Sequence, residues 1–591
     1  MLAFSLALLL AFAAPLAAQP AATDTVRYTI GWDNPASQLY HVTVTAAARG
    51  EPVVFSLPAW RPGRYIVQNY AANVQSVRAR GAGGKTLPAR WIDLDSWRVD
   101  PGTAGSVTLE FDYYAHTFDA GSSTLTPNVA YFNPVNLLPW VEGRKASPAT
   151  LALEAPAEWT VATQLAPARG GTHRFTAPNY DRLVDSPTIG SPDLVLWDYD
   201  VDDVNYHLAF RPVAGPLELG NYSRQQIIAD VSRLTREAVA VIGVAPFPEY
   251  WHLFQLVPYP FGHAVEHEAS ASYVVQDDLF RSAGGYDGFL SIMAHEFFHA
   301  WNVKRIRPAA MWPYDYSTPQ LTRLNWVTEG ITSYYAILLR ARAGLLPEPA
   351  LRASLGSEIT SLQDTPGRLV TSAELSSLTA WHSGYGDGNS NKAISFYAKG
   401  SALGLLLDLT IRDATDGARG LDDVMRLLWT RYYMQGHGYP EDGFQRAAEE
   451  VAGRSLADFF SRYVAGTDEL PWDATLRLVG YSATARADAG RPAATFGWRL
   501  AAGEGGVSVA RLFPDSPALA AGVMRDDLLV SIDGVAVAST NIDSLLARHA
   551  AGDQVTVVVR RFGDTMERRV TLAGGGNIEW VVEPDANPTA R

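Results

Sequence analysis

Cysteine is absent from the 591-residue chain, so disulfides, thiolate catalysis and thiolate metal ligands are all excluded. Positive charge is also scarce: 48 Lys and Arg residues face 62 Asp and Glu residues, and the formal net charge is −14. Such a chain lacks the basic surface that attracts nucleic acid or an anionic membrane, so we expect no nucleic-acid partner. Any metal must be held by histidine and carboxylate side chains.

A long apolar run is found at the N-terminus, where residues 1–16 are almost entirely apolar. The run is shorter than the roughly 20 residues that cross a bilayer. It is followed by Ala17-Ala18-Gln19, which offers the small residues that precede a signal-peptidase cut. We predict a signal peptide over residues 1–18, an exported protein that is periplasmic or secreted, and no stable membrane span. A membrane anchor is the alternative.

The remaining composition is that of a folded protein, with 47% hydrophobic and 19% charged residues. The length predicts two to four domains, at roughly 100 to 200 residues each. Residues 106–115 alternate between apolar and polar side chains, as in a half-buried strand, and similar patterns predict an antiparallel β domain over residues 24–198. From residue 199 to 475 the apolar residues recur every three or four positions, which predicts a mainly α domain. The fold class is therefore multidomain α+β.

Residues 485–575 change the pattern again, to short strands around a small helix with glycine at the turns. This stretch resembles a bacterial PDZ domain. The resemblance implies that the loop of Phe496, Gly497 and Trp498 offers backbone N–H groups to a peptide C-terminus, so peptide C-termini are expected partners.

The sequence His295-Glu-Phe-Phe-His299 is the strongest chemical signal in the chain. On a helix, residues four apart share a face, so the two imidazoles can bind one ion while Glu296 points to a neighbouring position. Apolar residues surround the motif and predict a buried helix over residues 287–303 with Asp287 as its N-cap. The alternative is a chance pair of histidines on a solvated surface helix.

A third ligand is predicted at Glu329, the one acid in the apolar run from Asn325 to Tyr335. Catalytic zinc keeps three protein ligands and one open position. An unpaired carboxylate in such surroundings would cost several kcal/mol, so it requires a cation. The alternative partner is a buried arginine, Arg305 or Arg307.

These motifs, together with residues 57–65 and 455–464 and the PDZ-like module, resemble the glycyl aminopeptidase family of zinc metallopeptidases. The resemblance extends through most of the chain. It implies one Zn²⁺ per chain, an N-terminal β domain, a thermolysin-like catalytic domain, and removal of N-terminal glycine and alanine from peptide substrates. Asn302 and Asn325 are candidates to orient the ligands.

The resemblance implies three further roles. Tyr397 matches the tyrosine that hydrogen-bonds the oxyanion, although a core tyrosine is the alternative. Glu266 matches the glutamate that pairs with the free α-amine of the substrate. His263 and Ala264 stand where the family normally has glycine, in a loop beside the substrate backbone. His263 and His267 as a second metal site are less favoured than hydrogen-bonded or substrate-facing histidines.

The predicted function is that of a zinc aminopeptidase in which Glu296 is the general base and Tyr397 stabilises the oxyanion. One alternative is a zinc endopeptidase whose PDZ module captures substrate C-termini. The other is a non-catalytic peptide-binding scaffold with structural zinc, which would leave Glu296 without a role and would normally need a fourth protein ligand.

Overall fold

The computed structural model describes residues 25–383, 389–488, 492, 494–503, 505–575 and 578–585. The predicted signal peptide, residues 1–18, lies outside the described residues. No helix within these ranges has the length and hydropathy needed to span a bilayer.

The N-terminal domain is built almost entirely of strands. They form one eight-stranded sheet, in the order β14-β15-β12-β1-β2-β8-β4-β5, and two four-stranded sheets, β13-β16-β10-β9 and β11-β3-β7-β6. The strands are β1 (Val26–Gly31), β2 (Leu39–Ala47), β3 (Val53–Ser56), β4 (Val74–Gly81), β5 (Thr86–Leu87), β6 (Ala89–Trp91), β7 (Ser96–Val99), β8 (Ser106–Tyr114), β9 (Thr124–Thr126), β10 (Val129–Phe132), β11 (Trp140–Val141), β12 (Ala149–Leu153), β13 (Thr160–Thr163), β14 (Ala166–Pro167), β15 (Arg174–Ala177) and β16 (Thr188–Ser191). The two short helices are α1 (Pro134–Leu137) and α2 (Tyr180–Val184).

Period-two alternation explains the large sheet. In β2 and β8 every second side chain is buried, and the two strands pair in antiparallel register. The sheet is not wholly antiparallel, because β1 pairs with β12 in parallel. The buried face packs into the apolar core of this domain.

The middle domain combines a five-stranded sheet, in the order β17-β18-β19-β21-β20, with a mainly helical remainder. Its strands are β17 (Val195–Val201), β18 (Val204–Pro212), β19 (Glu249–Val257), β20 (Gly262–Glu266) and β21 (Ser270–Gln276). Its helices are α3 (Arg224–Ile242), α4 (Ala283–Phe298), α5 (Thr332–Arg342), α6 (Glu348–Gln363), α7 (Ala373–Leu378), α8 (Ala380–Ser383), α9 (Phe396–Ala414), α10 (Leu421–Arg431), α11 (Gly443–Ala452), α12 (Ala457–Phe459) and α13 (Trp472–Leu476), with π-helical turns at Trp326–Ile331 and Phe460–Val464.

The C-terminal module has its own small apolar core. Its strands are β23 (Trp498–Gly503), β24 (Gly506–Leu512), β25 (Leu528–Ile532), β26 (Val535–Ala536), β27 (Gln554–Arg561) and β28 (Asp564–Thr571), and its helices are α14 (Pro517–Ala520) and α15 (Ile542–Leu546). The flanking strands β22 (Tyr481–Ala487) and β29 (Ile578–Pro584) pair with each other and pack against the middle domain rather than the module.

Two local predictions were wrong. Ser282, not Asp287, caps α4: the Ser282 hydroxyl accepts from the Gly285 N–H at 3.0 Å, and Gly284 and Gly285 occupy the first turn. The segment containing His263, predicted as a loop, is the edge strand β20. The helix predicted over residues 325–343 is confirmed: it consists of a π-helical turn at Trp326–Ile331 followed by α5.

The β domain docks on the middle domain through aromatic side chains. Tyr314 and Tyr316 of the middle domain lie in the core of the β domain, and Tyr65 of the β domain lies in the core of the middle domain. The Trp60 Nε1 donates to the Asp315 carbonyl at 2.8 Å. The two domains therefore interlock beside α4.

Candidate metal centre

The two histidines of the motif lie at the end of α4 with both Nε2 atoms facing one point. These atoms are 3.1 Å apart, and the Oε2 atom of Glu329 lies 3.3 Å from His299 Nε2 and 3.7 Å from His295 Nε2. Zinc bonds of about 2.0 to 2.1 Å at tetrahedral angles separate donor atoms by about 3.3 to 3.4 Å. The donor set and its spacing therefore fit one zinc ion.

The other atoms of these ligands are already fixed by the protein. His299 Nδ1 lies 2.8 Å from the Asn302 carbonyl, which leaves Nε2 as the metal-binding atom. His295 Nδ1 lies 3.4 Å from the Ser333 hydroxyl. Such contacts to the second nitrogen orient the rings of metal-binding histidines.

Asn302 also joins the two ligand-bearing segments. Its Nδ2 donates to the Val327 carbonyl at 2.9 Å and to the Thr332 hydroxyl at 3.0 Å. The next residue, Val303, has a φ of 107°, an unfavourable conformation for a β-branched side chain. Asn325 instead donates to the Ser377 carbonyl at 3.2 Å. Of the two predicted orienting residues, Asn302 is the one at the site.

Glu329 sits in the π-helical turn where this segment crosses α9. Gly330 and Gly400 face each other so closely that a Cβ on Gly330 would lie 2.4 Å from the Gly400 Cα. The alternative arginine partners lie elsewhere: Arg305 donates to the Ala300, Glu268 and Pro246 carbonyls, and the Arg307 guanidinium stacks on Trp312 at 3.6 Å. Glu329 therefore faces the two histidines rather than an arginine.

The β domain supplies a partner to Glu329 that sequence reasoning missed. The Tyr65 hydroxyl donates to Glu329 Oε1 at 2.8 Å, which leaves Oε2 facing the histidines. Tyr65 is the last residue of the motif at residues 57–65, which is part of the family resemblance. The motif was therefore recognised in the sequence, but it did not indicate what Tyr65 does. Burial opposes ionisation of Glu329, but His299 and His295 outweigh it and hold the pKa of this carboxyl well below its usual range.

Glu296 and Glu266 form a second acidic group beside His299. Donor atoms of these three residues all lie within 4.8 Å of one another. Both carboxylates are buried, with Glu296 7% and Glu266 5% exposed. Burial raises the pKa of Glu296 to about 8, with Glu266 and Glu329 adding to the rise and His299 and Arg61 opposing it. Burial lowers the pKa of His299, but the surrounding carboxylates outweigh this and raise it to about 10.

Glu266 has one carboxylate oxygen committed to nothing else. Within the described ranges, its buried Oε1 atom has no hydrogen-bond partner. Gly63 lies directly against this carboxylate, because a Cβ on Gly63 would be 2.5 Å from Oε2 and 2.6 Å from Oε1. A buried anion with an unused acceptor is a binding position for a cation.

Tyr397 lies on the first turn of α9, next to the metal ligands. Its ring centroid is 6.2 Å from that of His295, and both residues line a cleft of about 770 Å³ together with Glu296. The ring is half-buried at the cleft wall rather than enclosed in the core. This position is compatible with contact to a bound peptide.

The remaining predicted site residues fall into two groups. His263 and Ala264 lie on the edge strand β20, and His263 Nδ1 is 3.5 Å from Asp119 Oδ1 of the β domain. His267 is buried and its Nδ1 lies 3.2 Å from Asp185 Oδ1. Neither histidine belongs to a metal-binding group in the part of the chain that the structure describes.

In the PDZ module, one N–H group of the predicted carboxylate loop is already occupied. The Gly497 N–H donates to the Thr495 hydroxyl at 2.9 Å, and Phe496 and Trp498 lie in the core of the module. The peptide-binding role of this loop stays a prediction.

Comparisons with known proteins agree with this architecture. Residues 27–191 match the family model for the peptidase M61 N-terminal domain, residues 288–403 match M61 glycyl aminopeptidase, and residues 494–572 match the PDZ domain. No curated protein matches the chain significantly.

Among solved structures, the chain superposes on an aminopeptidase N family protein from Idiomarina loihiensis with a TM-score of 0.90 and 25% identity, covering 95% of this chain and 98% of that one. An M1 zinc metallopeptidase from Deinococcus radiodurans, solved with a Tyr-Ser-Ala substrate, gives a TM-score of 0.48 and 15% identity over 76% of this chain and 94% of that one.

The family models and the first of these structures define the class of the protein, which is a zinc metallopeptidase. Within that class, the chain carries regions that match the M61 N-terminal domain and the M61 glycyl aminopeptidase domain, followed by a PDZ domain.

Proposed function

We propose that this protein is a zinc-dependent aminopeptidase that releases small N-terminal residues, glycine and alanine, from peptides. The observation that carries the proposal is the buried, unused Oε1 atom of Glu266 beside Glu296 and His299. A protonated α-amine is the cation that a peptide can deliver to this position. Its ion pair with Glu266 would place the first peptide bond over the metal ligands.

His295, His299 and Glu329 would hold one zinc ion, because their donor atoms have the tetrahedral spacing described above. When bound, zinc polarises the scissile carbonyl and lowers the pKa of an attacking water. Each ligand keeps one atom toward the ion while the protein occupies another: the Asn302 carbonyl on His299, the Ser333 hydroxyl on His295 and the Tyr65 hydroxyl on Glu329.

Glu296 would act as the general base. It takes a proton from the water as the water oxygen bonds to the carbonyl carbon, and then gives that proton to the amine as the C–N bond breaks. Tyr397, at the cleft wall beside His295, would donate a hydrogen bond to the oxyanion.

The preference for a small first residue is supported by crowding around the amine site. Gly63 closes one side of the Glu266 carboxylate, and the adjacent Arg61 is only 2% exposed. A large first side chain would have to displace this segment of the β domain. We further propose that the protein works outside the cytoplasm, which rests on the predicted signal peptide.

The test compares glycyl, alanyl, leucyl and phenylalanyl p-nitroanilides with their N-acetylated forms, with bound zinc quantified. We expect hydrolysis of the free-amine compounds only, fastest for glycyl and alanyl. Equal cleavage of the acetylated compounds would overturn the aminopeptidase proposal and indicate an endopeptidase. Faster cleavage of the leucyl and phenylalanyl compounds would overturn the size preference alone.

A further inference from the structure

The catalytic cleft contains an acidic side chain that the proposed chemistry does not use. Glu358, on α6, lines the 770 Å³ cleft with His295, Glu296 and Tyr397. It is half-buried, and burial raises its pKa to about 7 while the Ser401 hydroxyl, which hydrogen-bonds the carboxyl, opposes the rise. Even with this hydrogen bond, keeping an anion here is costly unless a cation approaches it.

The cations of the protein do not meet this need. In the part of the chain that the structure describes, no Lys, Arg or His forms an ion pair with Glu358. Arg340, which lines the same cleft, is already paired with Asp287 at 2.5 Å. The other polar residues of this wall are serines, including Ser354, Ser357 and Ser361 of α6, which offer hydroxyl groups but no charge.

The position of the cleft relative to Glu266 shows which part of a peptide would enter it. Glu266 does not line this cleft: it lies against Gly63, on the side of Glu296 that faces the β domain. A peptide whose amine is held by Glu266 lays its first peptide bond across His295 and Glu296. Its second residue then extends past Tyr397 into the cleft. This step rests on the function proposed above.

We propose that Glu358 is a specificity-determining residue that favours peptides whose second residue is lysine or arginine. A long basic side chain reaching along the cleft would bring a positive charge to a carboxylate that lacks one. The ion pair would offset the free-energy cost of burying the carboxylate. A second residue with a carboxylate would be repelled, and an uncharged one would leave Glu358 unpaired.

The experiment measures kcat/KM for Gly-Lys, Gly-Arg, Gly-Met, Gly-Gln and Gly-Glu amides. Wild type is expected to prefer Gly-Lys over Gly-Met about tenfold, the scale of one charge-assisted hydrogen bond. In Glu358→Gln this ratio should fall to near one, and in Glu358→Lys the preference should shift to Gly-Glu. Glu348→Gln, the same substitution on an exposed pair of the same helix, should keep the wild-type ratio.

A wild-type ratio near one, or a Glu358→Gln ratio that stays near ten, would overturn the role of Glu358. Each amide is also tested with its amine acetylated, which separates the two proposals. If acetylated amides are cleaved with the same Lys-to-Met ratio, the aminopeptidase proposal fails while the charge selection by Glu358 stands.

Discussion

The hydroxyl of Tyr65 and the carboxylate of Glu329 are joined by a 2.8 Å hydrogen bond although 264 residues separate them in the chain. Tyr65 belongs to the β domain, whereas Glu329 belongs to the peptidase domain. The bond occupies Oε1 and leaves Oε2 toward the two histidines. One domain thus sets the orientation of a ligand that the other domain carries.

Replacing Tyr65 by phenylalanine should weaken zinc binding by about 10- to 100-fold, the usual cost of losing a hydrogen bond to a metal ligand. Zinc retained against a graded chelator is the measurement. Tyr28→Phe is the control, since its hydroxyl bonds only to the Pro139 carbonyl within the β domain. Equal zinc affinity in the two variants would show that Tyr65 does not orient Glu329.

Glu296→Gln should keep its zinc and lose nearly all turnover, because glutamine preserves the shape of the side chain but accepts no proton at this step. The readouts are kcat and zinc content of the same preparation. Residual activity within tenfold of wild type would exclude Glu296 as the base.

Gly63→Ala should reduce kcat/KM for free-amine substrates, because the new Cβ would lie 2.5 Å from Glu266 Oε2 and push the carboxylate aside. The control is Gly50→Ala. Both glycines have a φ of 81°, but nothing lies within 4 Å of a Cβ at Gly50, so the backbone strain is shared and the contact is not. The same loss in both variants would contradict an anchoring role for Glu266.

Asp185→Asn should lower the free energy of unfolding by about 3 to 5 kcal/mol, the range for a buried pair that loses one partner. Asp185 Oδ1 accepts from Lys304 Nζ at 2.7 Å across the domain boundary. Burial raises the pKa of Asp185, but Lys304 and His267 outweigh it and hold the pKa well below the usual range. The stabilisation that ionised Asp185 gives the folded protein is therefore present above about pH 4 and is lost as the pH falls further.

Urea unfolding measures the effect of Asp185→Asn, with Asp203→Asn in an exposed turn as the control. A loss below 1 kcal/mol for Asp185→Asn would show that the buried pair is not needed for stability. As the pH is lowered below about 4, the difference in free energy of unfolding between wild type and Asp185→Asn should become smaller.

His252 should make the protein less stable as the pH falls from about 6.5 to about 3. Burial, with a smaller effect of His207, lowers the pKa of His252 from 6.5 to about 3. The unfolded chain therefore binds a proton in this window that the folded chain does not, so acid favours unfolding. In His252→Gln the slope of unfolding free energy against pH should decrease by up to about 1.4 kcal/mol per pH unit. Equal slopes in wild type and His252→Gln would refute the lowered pKa of His252.

The sequence predicts those parts of the site that local geometry determines. Four-residue spacing on a helix is enough to bring His295 and His299 to one point, and an isolated acid in an apolar run is enough to suggest Glu329. The domain patterns likewise follow from periodicity, because strands alternate every two residues and helices every 3.6.

Other features of the site depend on contacts between distant segments, so they could not be predicted from the local sequence pattern. The π-helical turn at Glu329 lies where Gly330 meets Gly400, and this close approach is a tertiary contact. The cap of α4 is Ser282 rather than Asp287, and Gly284 and Gly285, which are poor helix formers, occupy the first turn. Arg61, Gly63 and Tyr65 were seen as a motif, but only docking of the β domain shows what they touch.

Docking of the β domain has a consequence for when the peptidase site becomes complete during folding. A peptidase domain that folds before the β domain settles against it would lack the Tyr65 bond to Glu329 and the Gly63 wall beside Glu266. Its incomplete centre would hold metal weakly and position substrates badly. Full activity would therefore require the β domain to be docked on the peptidase domain.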